Sequence, residues 1–212
     1  MSEASGFQPY FDELVAFATP PERKEELVTA RREFFELTGE IFEEDKQFEL
    51  RMAALLEYFI FDRPREAGLT PAAELYARVL KEGPPERAAA FRSFTETVHG
   101  LFEVRKLAAG WVRLRELFTG NEFEVSERRQ LAGLTRGDVL EARLIPFGGA
   151  FWFSSSFCWH PHAAVASILK EVKRRKKLKV AAPAELLADC ARRALKADRY
   201  RNIAIEKIYE FP

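Results

Sequence analysis

Residues 154–162, SSSFCWHPH, hold three serines, one of the chain's two cysteines and two of its three histidines. Cys158, His160 and His162 follow at i+2 spacing, which puts all three on one side of an extended segment. A thiolate with two imidazoles is a soft donor set suited to zinc. Pro161 opposes regular extension as far as His162, because it suits the first position of a helix with His160 at or beside the N-cap. A fourth ligand would come from His99, Cys190, a carboxylate or water. The stretch also offers a nucleophile, Cys158 or one of Ser154, Ser155 and Ser156, with His160 or His99 as base. No G-x-S-x-G elbow and no cysteine-protease context accompany it. On a third reading it is architecture: serines on the exposed face of an edge strand, Phe153, Phe157 and Trp159 packed inward, and Cys158 a small buried side chain. The stretch is expected to be structural, with Cys158, His160 and His162 as the metal candidates and no cofactor required.

A second constellation follows at once. In residues 170–179, KEVKRRKKLK, the cations Lys170, Lys173, Arg174, Arg175, Lys176, Lys177 and Lys179 crowd toward the end of a helix whose inner face is Val165, Ile168, Leu169 and Val172. Positive charge there complements the helix dipole. It reads either as a solvated helix end paired with acidic helices or as a patch for phosphate groups. Arg113, Arg115, Arg128, Arg129, Arg136 and Arg143, with Trp111, Phe151 and Trp152, add cations and aromatics on or beside strands.

The elements that must position these groups are legible in the periodicity. Residues 21–61 place Leu27, Phe34, Leu37, Ile41, Phe42, Phe48, Met52, Leu55, Leu56 and Phe59 at three- and four-residue steps, a helical face broken at Gly39. Thr70 before Pro71 opens a helix that Gly83 stops, and Pro84 and Pro85 open another expected to run to Gly100. Beyond Gly100 the period falls to two. Residues 101–107, 111–117, 121–127, 138–147 and 150–159 read as five strands separated by turn material. Helices follow over 161–178 and from Pro183, and 202–211 alternates like a last strand or an extended tail. The expected fold is α+β: a helical region over 1–100, a small antiparallel barrel or curled sheet, SH3-like or OB-like, over 101–160, and C-terminal helices over 161–212.

Composition bounds the function. The chain has 212 residues, 47% of them hydrophobic and 19 of them Phe, enough for a sizeable core. The most apolar run, residues 52–61, is interrupted by Glu57 and too short to span a bilayer, and the first residues lack a signal-peptide pattern. A cytoplasmic protein without a membrane partner is expected. Cys158 and Cys190 are too isolated for a disulfide framework. The net charge is zero, yet residues 1–66 carry 16 acidic against 8 basic side chains, and residues 128–179 carry 3 against 11. A bipolar chain of this kind can meet a polyanion or a partner of opposite pattern.

Residues 52–149 also resemble a group of uncharacterised bacterial proteins that often carry a small zinc-binding tail, the SEC-C motif. The resemblance rests on Phe61, Asp62 and Arg63, on Gly68 and Thr70, on Phe102, Thr119, Gly120 and Val125, and on Gly137, Asp138, Arg143, Leu144 and Pro146. It implies helices leading into a β segment and brings no activity. The chain has no cysteine-rich tail, so the zinc site of that tail is not carried over. The expectation is a binding or adaptor protein rather than an enzyme, with nucleic acid or another polyanion as the partner. A protein-interaction module that docks or self-associates through its acidic and basic faces, and a metal-dependent or cysteine enzyme, are the alternatives.

Overall fold

The computed structural model describes residues 6–65, 68–127, 133–178 and 183–212. Five helices come first: α1 (Gln8–Ala18), α2 (Lys24–Thr38), α3 (Phe48–Glu57), α4 (Pro71–Glu82) and α5 (Pro85–Arg92). Five strands follow: β1 (Val98–Ala108), β2 (Trp111–Glu116), β3 (Glu122–Ser126), β4 (Val139–Phe147) and β5 (Ala150–Trp159). The helices α6 (Val165–Leu178), α7 (Pro183–Arg199) and α8 (Ile205–Ile208) close the order. The protein is α+β, with the small barrel expected from the sequence.

The local signals act where they stand. Thr70 Oγ1 accepts the Ala73 N–H at 3.3 Å and caps α4, with Pro71 at its first position. Gly39 ends α2 at φ +94°, a conformation side chains with a Cβ rarely adopt. Residues 39–47 then run outside any helix. Phe42 in that stretch and Leu37 on α2 are exposed rather than part of the expected inner face, and the Arg199 guanidinium lies 5.1 Å over the Phe42 ring. Gly100 does not end a helix. It lies inside β1 opposite Ala142, and a Cβ there would come within 3.2 Å of Glu116 Cγ. Residues 202–211 form the short α8 and the turn after it, not a strand: Tyr209 is fully buried, and the single turn suffices to seat Ile208 and Tyr209 with α7 and with Leu101 of β1 and Val139 of β4.

The strands close in the order β1-β2-β3-β5-β4, with β4 back on β1. β5 joins β4 antiparallel and touches β3 in parallel at Val125↔Phe151. Of the two expected arrangements this is the OB-like one, a five-stranded Greek-key barrel. Alternation sorts the side chains. Phe102, Val104, Val112, Leu114, Leu140, Ala142, Leu144, Phe153 and Phe157 fill the barrel. The outer positions meet helices: Leu101 and Val139 pack with Ile168, Val172, Leu186 and Tyr209, and Ile145 packs with the N-terminal helices around Phe59, Phe91 and Phe94. Arg51 of α3, itself buried, donates to the Ala191 carbonyl of α7 and the Thr38 carbonyl of α2, so both helical groups are tied together beside the barrel.

Candidate functional site

The outer face of β4 and β5 carries polar side chains where helices cover it. α3 runs into a π-helical turn, Tyr58–Asp62, closed by the Arg63 N–H donating to the Tyr58 carbonyl at 2.9 Å. Such turns re-aim side chains and recur at functional sites. Here Glu57 and Asp62 face the barrel. Glu57 is 2% exposed and accepts the Ser156 N–H at 3.1 Å, the Ser156 hydroxyl at 2.7 Å and Arg143 Nε at 3.3 Å. Arg143 also donates to Asp62 at 2.5 Å and to Thr97 Oγ1 at 3.1 Å, with its guanidinium 4.7 Å over the Phe61 ring. Burial pushes the Glu57 carboxyl above its ordinary value, against the pull of Arg143 and Ser156.

From Asp62 the seam continues through His99. Its Nδ1 lies 3.7 Å from Asp62, and its Nε2 is hydrogen-bonded to Glu141 Oε1 at 3.1 Å. Glu141 stands directly across the ladder from Cys158, and His160 follows two residues on, so the three share one face. Their donor atoms lie within 4.8 Å of one another. Glu141 Oε2 and His160 Nε2 are buried without hydrogen-bond partners, while His160 Nδ1 meets the Tyr209 hydroxyl at 3.0 Å. Burial holds the His160 ring neutral, down to about 4, and pushes the Cys158 thiol far up. A thiol so held is not an activated nucleophile.

The expected metal candidates thus separate. Cys158 and His160 come together, whereas His162 is exposed and pairs with Asp138 at 3.0 Å. Glu141 takes the place expected of His162. The serines are also corrected: Ser154 and Ser156 are buried and only Ser155 is exposed, because alternation with Phe153 and Phe157, which fill the barrel, sets them on the outer face that α3 covers. Sequence reasoning noted Glu57 only as an interruption of an apolar run. A lone carboxylate in such a run was the available signal for a buried partner. Glu141 gave none, since its pairing with Cys158 depends on cross-strand register.

The basic helix is arranged differently. α6 lays Ile168 and Val172 on the barrel and on Leu186 and Leu187 of α7. Arg175 is buried, not superficial: it pairs with Glu171 at 2.7 Å, Asp189 at 3.2 Å and Glu185 at 3.7 Å. Arg174, exposed, shares Glu171 at 2.7 Å. Lys170, Lys173, Lys176 and Lys177 are exposed, and Lys176 Nζ reaches the Leu117 carbonyl at 3.4 Å. Among the described residues no ion pair joins this run to the acidic N-terminal region, whose carboxylates pair instead with Arg63, Arg65, Arg87 and Arg199. Lys179, Arg128 and Arg129 lie outside the described residues. Of the arginines expected on the sheet, Arg113 pairs with Glu124 and Arg115 with Glu103, Arg143 is consumed in the seam, and Arg136 is exposed. Lys106 and Arg113 flank the Trp111 ring at 5.2 and 5.5 Å, while Phe151 packs on Phe123 and the Trp152 indole donates to the Phe147 carbonyl.

A protein-family model described as a family of unknown function, DUF7986, matches residues 24–185. No curated protein and no solved structure matches the chain.

Proposed function

The chain belongs to DUF7986, and we propose that it is a polyanion-binding protein whose α6 contacts the phosphate backbone of a nucleic acid. The reading rests on one observation: Lys170, Lys173, Lys176 and Lys177 stand exposed on a helix anchored by its other face, without acidic partners among the described residues. Lys170, Lys173, Arg174 and Lys177 fall at the i, i+3, i+4 and i+7 positions of one stripe. At about 1.5 Å per residue the stripe spans about 10 Å, the length of about three phosphates along one strand. The contact of Lys176 with Leu117 sets the basic end of α6 beside the β2–β3 turn, and Trp111 between its two cations offers a stacking face on β2. OB-like barrels commonly bind oligonucleotides across this sheet, a support by analogy of fold alone. No group in the reading performs chemistry, so the protein acts by binding.

The test is fluorescence anisotropy with labelled single- and double-stranded DNA and RNA over a salt series. About three neutralised phosphates give a slope of log affinity against log salt of about −2.7 on duplex DNA. Lys173→Glu with Lys177→Glu should weaken binding to every sequence and flatten the slope by about one unit for each phosphate no longer neutralised. Absence of binding at low salt, or binding indifferent to the double substitution, overturns the reading. Capture of a second copy or of a protein partner through the same lysines would favour the interaction-module alternative instead.

A further inference from the structure

The polar seam contains more than internal pairing requires. Most of its groups are satisfied: Glu57 by Ser156 and Arg143, Asp62 by Arg143, and His99 by Glu141. Its far end is different. His160 is 94% buried, with Nε2 unpartnered, and the second oxygen of Glu141 is buried and unpartnered beside it. Leaving two buried polar atoms unpaired costs about 1–3 kcal/mol each, and here both belong to a set whose third member is the Cys158 thiol, with all donor atoms within 4.8 Å.

We propose that Glu141, Cys158 and His160 bind one divalent cation of the zinc class, with water in the fourth position. The ligand types are the borderline-soft sulfur, nitrogen and oxygen donors that zinc accepts, at bonds of about 2.0–2.3 Å. Tetrahedral bonds of that length set donors about 3.3–3.8 Å apart, so small side-chain rotations close the present spacing. Charge closes as well: one thiolate and one carboxylate neutralise a dication, which suits a nearly buried site. The Cys158 S–H bond breaks as the S–metal bond forms, and its proton leaves to solvent. The surrounding groups orient the ligands. With the cation bound, Nδ1–H of His160 would donate to the Tyr209 oxygen, 3.0 Å away, and leave Nε2 its lone pair, and His99 holds one Glu141 oxygen so that the other faces the cation. The site is separate from α6 and stands or falls without the nucleic-acid reading.

The full chain, freed of metal by chelator and dialysis, is titrated with Co²⁺ and then Zn²⁺. One equivalent of Co²⁺ should give thiolate-to-cobalt absorption in the near ultraviolet and the strong visible bands of tetrahedral cobalt, both erased by one equivalent of Zn²⁺. Cys158→Ser and His160→Gln should abolish the thiolate band and the stoichiometric uptake, and Tyr209→Phe should weaken binding about 10–100-fold. Cys190→Ser, which alters the other buried cysteine outside the set, should leave binding intact. Glu141→Gln removes a ligand with little change of shape; if Cys158→Ser or His160→Gln fails to fold by circular dichroism, its loss of uptake together with the Tyr209→Phe effect decides. Uptake below one equivalent by the wild type, or uptake that survives Cys158→Ser or Glu141→Gln, overturns the proposal.

Discussion

Replacing Arg143 by Met tests whether the seam is a buried ion pair. Arg143 is 3% exposed and supplies the cation next to Glu57, itself 2% exposed. Without it Glu57 keeps the two Ser156 donors, at 3.1 and 2.7 Å, and no neighbouring guanidinium to offset a buried charge. Removing one partner of such a pair costs about 3–5 kcal/mol, because the survivor stays unpaired and desolvated. Adding Glu57→Gln removes that charge and keeps an acceptor for Ser156, so the double variant should recover about 2 kcal/mol, within the coupling range of contacting residues. Acidity provides a second check. Burial raises the Glu57 carboxyl above its unfolded value, so ionising it opposes folding, and its favourable contribution is lost as pH rises through the folded value. The cost of Arg143→Met should therefore shrink as pH falls through the folded value and Glu57 takes up a proton. Urea unfolding of the wild type, Arg143→Met, Glu57→Gln and the double variant over a falling pH series measures this. A single-variant cost below about 1 kcal/mol, the value of a solvated pair, or a double variant no more stable than the single, refutes the reasoning.

Thr70→Ala removes the cap that receives the Ala73 N–H and should cost about 1 kcal/mol, restored by Thr70→Ser, in the same urea assay. Gly39→Ala forces a Cβ into φ +94° with Leu195 Cδ2 3.0 Å away, and should lower stability by about 1–3 kcal/mol or more. Glu171→Gln frees Arg174 and deprives the buried Arg175 of one of its carboxylates. Chiefly the Arg174 hydrogen bond holds the Glu171 carboxyl below its ordinary value, so its contribution is present above the carboxylate range and disappears as pH falls through the folded value. The variant should be destabilised near neutrality but not in acid, and should bind duplex DNA with a slope steeper by about one unit. An unchanged slope would detach Glu171 from the binding face. Tyr209→Phe leaves His160 Nδ1 unpaired and should cost about 1–3 kcal/mol, whereas Tyr209→Ala adds the loss of a fully buried ring and should cost about 3–5 kcal/mol more, seen as a lower urea midpoint.

The strands were legible because alternation is a local signal. Each of the five lies where its apolar positions recur every second residue, and the turns at Gly110, Gly120 and Gly148 take positive φ as turn material should. The start of β1 was not legible. Residues 98–100 carry little alternation of their own and become strand by pairing with Leu144, Arg143 and Ala142. Barrel closure has the same origin, a pairing some forty residues apart. Cys158 and His160 could be read as a pair from their spacing alone, but their third partner comes from another strand. His162, next in the same spacing, is carried away because Pro161 ends the strand, as its fixed φ and missing donor require.

The seam also explains why the helices dock on this barrel in one way. The apolar contacts around Phe59, Ile60, Phe91 and Ile145 are non-directional, and α3 rotated by one residue would still bury a large side chain, Leu56 or Tyr58, where Glu57 now sits. Such a rotation would remove the acceptor from the buried Ser156 hydroxyl and N–H, and the carboxylate from Arg143. Each orphaned group carries a desolvation penalty of about 1–3 kcal/mol, more for the guanidinium. The alternative packing is therefore separated from the native one by more than the apolar surfaces could provide. The same holds at the other end, where Arg51 fixes α3 to the Ala191 carbonyl and Arg193 donates to the Ile208 carbonyl at 2.6 Å, seating Tyr209 against His160. Directional bonds at both ends select the arrangement in which Glu141, Cys158 and His160 face one another beneath the chain's last turn.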